Sequence, residues 1–127
     1  MRNCERSHLQ ACLLLLLAER SGYGYELVGR LAPLGLAEVD AASTYRALRT
    51  LEADGCVTSQ WTPSHSGPAR RTYHLSRYGR SLLDSCGERL REKHSRLGYF
   101  LTCLDSLAGA EHPPESPGRS RAAGGRR

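Results

Sequence analysis

The sequence predicts a mainly α fold with one small β-hairpin and a long C-terminal helix. Three observations carry this: apolar residues at helical spacing up to Leu51, two alternating stretches around a Pro/Gly/Ser loop, and a leucine seam from Leu83 to Leu104. The chain has 127 residues, 39% hydrophobic and 24% charged, values that suit one domain with an extension. That is too little chain for a two-domain enzyme with its own cofactor fold. No stretch approaches the ~20 apolar residues of a membrane span.

Ser7 with Gln10 three residues on is a capping-box pattern, so a buried helix is expected over Ser7–Arg20. Arg2 and Arg6 ahead of the apolar run Ala11–Ala18 imitate a signal peptide. Glu5 in the basic stretch and Glu19-Arg20 after the run argue against one, and the chain is read as cytoplasmic. Ser21-Gly22-Tyr23-Gly24 ends the first helix. A second helix follows with Leu27, Val28, Leu31 and Leu34 on one face, ending near Pro33-Leu34-Gly35.

Leu36–Val39 connects to Asp40, which stands where an N-cap should. The third helix, Ala41–Asp54, buries Ala47, Leu48 and Leu51 and turns Ser43, Arg46, Arg49 and Thr50 outward, with Gly55 as its stop. Val57–Trp61 alternates like a half-buried strand, with Trp61 expected in the base of the hairpin. Thr62–Ala69 is a loop, and Arg70–Leu75 is the returning strand. Ser76–Leu107 then reads as one long helix. Its seam of Leu83, Cys86, Leu90, Leu97, Leu101 and Leu104 is of the coiled-coil kind, interrupted at Lys93 and His94. A helix of about 30 residues spans ~45 Å and cannot bury both ends on so small a domain, so a homodimer built on it is expected. Ala110–Arg127 is rich in Pro, Gly, Ser and Arg and is expected to be disordered.

Charge is unevenly placed. Residues 1–39 and 81–109 are each balanced, whereas 40–80 hold six arginines against Asp40, Glu52 and Asp54. The tail adds four arginines against Glu111 and Glu115. An anionic partner for the middle segment is the natural inference. Five cysteines (Cys4, Cys12, Cys56, Cys86, Cys103) without close pairing suggest small buried apolar residues rather than a disulfide framework or zinc ribbon. Cys56, Cys86 and His74 do not have the spacing of a recognised metal site, and no nucleophile elbow, metalloprotease motif or phosphate loop is present. No metal, cofactor or enzymatic activity is expected.

Three helices, a hairpin and a dimerising helix, with basic charge on the third helix and hairpin, describe a winged helix-turn-helix. The expected divisions are 7–75 for that domain, 76–107 for the dimerisation helix and 110–127 for the basic tail. A major groove admits one helix, and Ser43, Thr44, Arg46 and Arg49 stand on the N-terminal half of the third. A wing carrying Arg70-Arg71 can lie along phosphates. His65, in the loop, is a candidate for a minor groove.

These residues bring out a resemblance. Gly24-Tyr25-Glu26-Leu27, the run from Thr44 to Val57, and Gly67–Ser76 with Gly79-Arg80 are similar, in order, to motifs of the PadR family of bacterial transcriptional regulators. The resemblance covers about residues 9–104. It implies a dimeric repressor of an inverted-repeat DNA operator, often released by a small molecule, in a short form with one C-terminal dimerisation helix. Carried over by position, the DNA-binding roles fall on Ser43, Thr44, Tyr45, Arg46, Arg49, Arg70 and Arg71. Ala41-Ala42 departs from the family's frequent Pro-Gly before the recognition helix. The family arrangement would also set Leu13 and Leu17 against Tyr99, Phe100 and Cys103, as a pocket for a hydrophobic or aromatic effector. The competing reading is a winged-helix protein-interaction module without specific DNA binding.

Overall fold

The computed structural model describes residues 7–63 and 67–111. Its elements are α1 (His8–Glu19), β1 (Gly22–Tyr23), α2 (Gly24–Arg30), a 3-10 turn (Ala32–Leu34), α3 (Ala41–Ala53), β2 (Val57–Thr62), β3 (Arg70–Leu75) and α4 (Arg77–Glu111). Three helices followed by a β2–β3 wing reproduce the expected winged arrangement. Among the described residues no helix is long and apolar enough to cross a membrane.

α1 starts where Ser7 Oγ accepts the Gln10 N–H at 3.2 Å. Its run of Cys12, Leu13, Leu14, Leu16 and Leu17 is buried, which explains why the segment has no polar face to speak of. Arg30 from α2 closes its far end, donating from Nη2 to the Leu16 carbonyl at 2.7 Å, which also accepts the Arg20 N–H, and from Nη1 to the Arg20 carbonyl at 3.4 Å. Leu27, Leu31, Ala47, Leu48 and Leu51 complete the helical part of the core.

The sheet differs from expectation. It has three strands, ordered β1-β3-β2, because Gly22 and Tyr23 pair antiparallel with Tyr73 and Thr72. Two residues beside a glycine offer no alternation to read, and their pairing partner lies some fifty positions away. Val57 faces Leu75 at the base of the wing, where Cys56, Val57 and Tyr73 join the core.

α3 ends at Gly55, whose φ of +82° is a conformation that favours glycine. The chain then turns so that α4 lies over the same spot. Ser76 caps α4: its hydroxyl accepts the Gly79 N–H at 2.9 Å and lies 2.6 Å from the Gly55 carbonyl, to which it donates. Gly79 itself is buried so close to the Cys56 carbonyl that a Cβ there would overlap it.

The opening turns of α4 belong to the domain. Leu82 and Cys86 are buried and Leu83 packs against the core. Two members of the expected dimer seam, Leu83 and Cys86, are therefore occupied within the first unit. The chain divides into two compact units between Arg89 and Leu90. In the second unit Leu90, Leu97, Leu101 and Leu104 are all exposed. The helix continues past Leu107 to Glu111, so Ala110 and Glu111 are helical; the remainder of the expected tail lies outside the described residues.

Cys12, Cys56 and Cys86 are buried as expected, while Cys103 is exposed on α4 and Cys4 lies outside the described residues. Burial pushes the Cys12 thiol above its ordinary range, keeping it protonated.

Candidate nucleic-acid interface

α3 is built from its cap outward. Asp40 Oδ1 accepts the Ser43 N–H at 2.8 Å, and the Asp40 carbonyl accepts the Thr44 hydroxyl at 3.1 Å. The bond from the Ser43 N–H holds the Asp40 carboxyl below its ordinary range, with a smaller contribution from the Arg46 charge. A carboxyl depressed by folding contributes its stability above the unfolded pKa and loses it as pH falls through the lower, folded value. Asp40→Asn should therefore match the wild type less well near neutral pH than after acidification through the carboxylate range, where the two converge. Chemical denaturation across that range measures it.

Thr44 corrects an expectation. It has no exposed surface, and its hydroxyl is spent on the helix start, so it cannot reach a base edge. Position 44 lies on the buried stripe with Ala47, Leu48 and Leu51, three, four and seven residues on. Arg46 and Arg49 are exposed, Ser43 and Tyr45 half-buried. Arg46 Nη2 donates to Ser43 Oγ at 3.3 Å, so these two side chains form one exposed polar group. Glu52, a candidate partner for Arg49, instead accepts from Ser59 Oγ at 2.7 Å.

The two wing arginines diverge. Arg70 stands over the stacked rings of Tyr23 and Tyr25, 5.2 and 5.1 Å from their centroids, and donates to the Tyr25 hydroxyl at 2.8 Å. Arg71 lies 5.1 Å from the Trp61 ring and donates from Nε to Ser59 Oγ at 2.9 Å. Through Ser59, Glu52 thus anchors Arg71 to the end of α3. Trp61 does not fill the base of the wing; it is 64% exposed, because, although it shares a face of β2 with Val57, it stands four residues further along the strand, opposite Arg71 and away from the end that meets the core.

Tyr23, Gly24 and Tyr25 join Tyr45, Arg49, Trp61, Arg70, Arg71 and Tyr73 around a cleft of about 550 Å³, with no acidic side chain in its lining among the described residues. Gly24 has to be small because a Cβ would enter the Tyr45 ring. Tyr23 and Tyr25 were not legible as members of this surface: β1 is what brings them beside β3. His65 lies outside the described residues.

The model of the PadR-like family of transcriptional regulators matches residues 13–85, more than half of the chain. The chain belongs to that family. Solved structures similar in fold include a PadR family regulator from Clostridium difficile, 22% identical, covering 75% of this chain and 99% of that one with a TM-score of 0.67. A PadR-like regulator from Bacillus cereus is 25% identical over 73% of this chain and 90% of its own, also at 0.67. Bacillus subtilis PadR in complex with operator DNA is 22% identical, with a TM-score of 0.57 over 62% of this chain and 46% of its own. No curated protein matches significantly.

The residues that the resemblance to PadR assigns to an effector pocket fall in both units. Leu13 and Leu17 are sealed in the core of the first unit, at 0% and 4% exposure, and offer a ligand no surface. Tyr99, Phe100 and Cys103 are exposed side chains of the second unit, where a hydrogen bond to Cys103 raises the Tyr99 hydroxyl above its ordinary range. Among the described residues no group of three or more His, Cys, Asp or Glu is placed to hold a metal ion.

Proposed function

We propose that this PadR-like protein is a homodimeric repressor that binds an inverted-repeat DNA operator and is released by a small-molecule effector. The observation that carries the reading is that Arg49 of α3 shares one cleft with Arg70 and Arg71 of the wing, lined among the described residues by no acidic side chain, with Arg46 exposed on the same helix. Arg46 and Arg49, with Ser43, serve base edges and flanking phosphates; Tyr45 and the wing arginines serve the backbone. The operator complex of Bacillus subtilis PadR, similar in fold, supports DNA as the partner.

Dimerisation rests on the second unit. Leu90, Leu97, Leu101 and Leu104, with Tyr99 and Phe100, expose more apolar surface than a solitary helix keeps in water. Two copies give two reading helices, which is what an inverted repeat demands. The double change Leu97→Asp with Leu101→Asp should leave a folded monomer by sedimentation and weaken operator binding at least about tenfold, since one half-site is lost.

Fluorescence-anisotropy titration against DNA from upstream of the protein's own gene, over a salt series, tests the whole reading. Sequence-selective binding that weakens steeply with salt supports it. Affinity no greater than for random DNA overturns it in favour of a protein-interaction module.

A further inference from the structure

We propose that Glu52, Ser59 and Trp61 are positioning residues for DNA binding, which together hold the Arg71 guanidinium end-on toward a phosphate. The phosphate rests on the DNA-binding reading above; the clamp on Arg71 does not.

The bonds that hold Arg71 have only one consistent direction. An ionised carboxylate only accepts and a guanidinium only donates, while a hydroxyl has one proton to give and lone pairs to receive. Ser59 therefore donates to Glu52 Oε2, 2.7 Å away, and turns a lone pair to Arg71 Nε at 2.9 Å. Trp61 holds the same group across its plane, with its ring centroid 5.1 Å from Arg71 Cζ. Stacking leaves the in-plane N–H groups of a guanidinium available. Among the described residues Arg71 engages only Nε, so its two terminal nitrogens remain as a fork of the kind that grips a phosphate. Arg70 differs, because the nitrogen it commits to Tyr25 is a terminal one, Nη1.

Charge explains why a serine stands between the two ions. A carboxylate paired directly with a wing arginine would occupy the fork and neutralise the charge that DNA needs. Glu52 instead acts through a neutral hydroxyl, and it is not among the side chains lining the cleft. The clamp also gives the 64% exposed indole of Trp61 a role outside the core, as the floor beneath Arg71. An arginine fixed beforehand loses less side-chain freedom when it meets a phosphate.

The test takes two measurements on the full chain. Without DNA, acrylamide quenching of Trp61, the only tryptophan of the chain, reads how well Arg71 covers the ring. Ser59→Ala and Glu52→Ala should raise the quenching constant toward that of Arg71→Ala. Ser59→Thr keeps the hydroxyl and Glu52→Gln keeps an acceptor oxygen, so both should stay near the wild type. With labelled operator DNA, Ser59→Ala, Glu52→Ala and Trp61→Leu should each weaken binding by about threefold or more. In an Arg71→Ala background the same three changes should have no further effect, because they act through that arginine. A merely structural role would persist there.

The sign at Glu52 decides between position and charge. If Glu52 acts by repulsion alone, Glu52→Ala and Glu52→Gln both strengthen DNA binding, and to the same extent. That result overturns the proposal, as does a loss of affinity that survives in the Arg71→Ala background, or quenching that neither Ser59→Ala nor Glu52→Ala moves. A wild type that binds no DNA overturns the regulator reading and the phosphate role together, while the quenching series separately upholds or overturns the clamp.

Discussion

Arg46→Ala with Arg49→Ala should abolish selective operator binding while leaving the domain folded. Both side chains are exposed on α3, and neither contributes to the core. Surface changes of that kind shift stability by only about 0.5 kcal/mol or less. A good bidentate contact from arginine to a base is worth ~1–3 kcal/mol of discrimination. Two such contacts per reading helix correspond to a loss of about 30-fold or more. The salt series separates the roles. If one arginine meets a phosphate instead, its removal lowers the salt slope by about one unit and weakens all sequences alike. Arg96→Ala, an exposed cation in the second unit, should change neither. Unchanged selectivity in the double variant would remove α3 from the reading role.

Gly79→Ala should be among the most damaging single-methyl changes in the molecule. The added carbon would overlap the Cys56 carbonyl oxygen and approach Leu75 Cδ1 to 2.8 Å. The first of these is backbone, held between the end of α3 and the start of β2, and it cannot swing aside as a side-chain tip can. Overpacking of this kind costs typically ~1–3 kcal/mol and occasionally more. For a domain of this size that lowers the melting temperature by roughly 5–20 °C. Gly29→Ala is the matched opposite. It lies within α2, where a Cβ would meet nothing within 4 Å, so alanine should stabilise the domain by about 0.4–1 kcal/mol. Thermal melts of both at one protein concentration test the contrast. A Gly79→Ala protein as stable as wild type would mean that α4 and the α3–β2 turn are not packed as described.

Local signals carried much of the architecture because they act between near neighbours. Asp40 before an apolar-periodic stretch marked the start of α3, and Gly55 its end, and the structure shows the cap bond and the positive φ that make those residues apt. Arg70–Leu75 was legible as a strand from alternation alone, and its bounds agree with the structure. The outward position of Arg46 and Arg49 followed from 3.6-residue periodicity, as did the inward position of Leu48 and Leu51. Thr44 shows the limit of polarity as a guide. A threonine reads as surface, but this one shares the buried stripe, and the Asp40 carbonyl satisfies its hydroxyl.

By itself, then, the sequence determined the order of the helices and the two wing strands, the caps of α1 and α3, the faces of α3, the excess of positive charge at 40–80 and the resemblance to PadR. These depend on spacing and residue type within a few turns of chain. Only the tertiary structure decided which distant segments meet. Gly22-Tyr23 became a strand because β3 lay alongside it, and that pairing set Tyr23 and Tyr25 under Arg70. Leu83 and Cys86, expected in a seam, are covered within the first unit, Leu83 packed against its core and Cys86 buried. Trp61 stayed exposed because the sheet register sets it opposite Arg71, four residues along β2 from the Val57 end that meets the core. In each case the deciding term is burial against a partner remote in sequence, and no local pattern records which partner that will be.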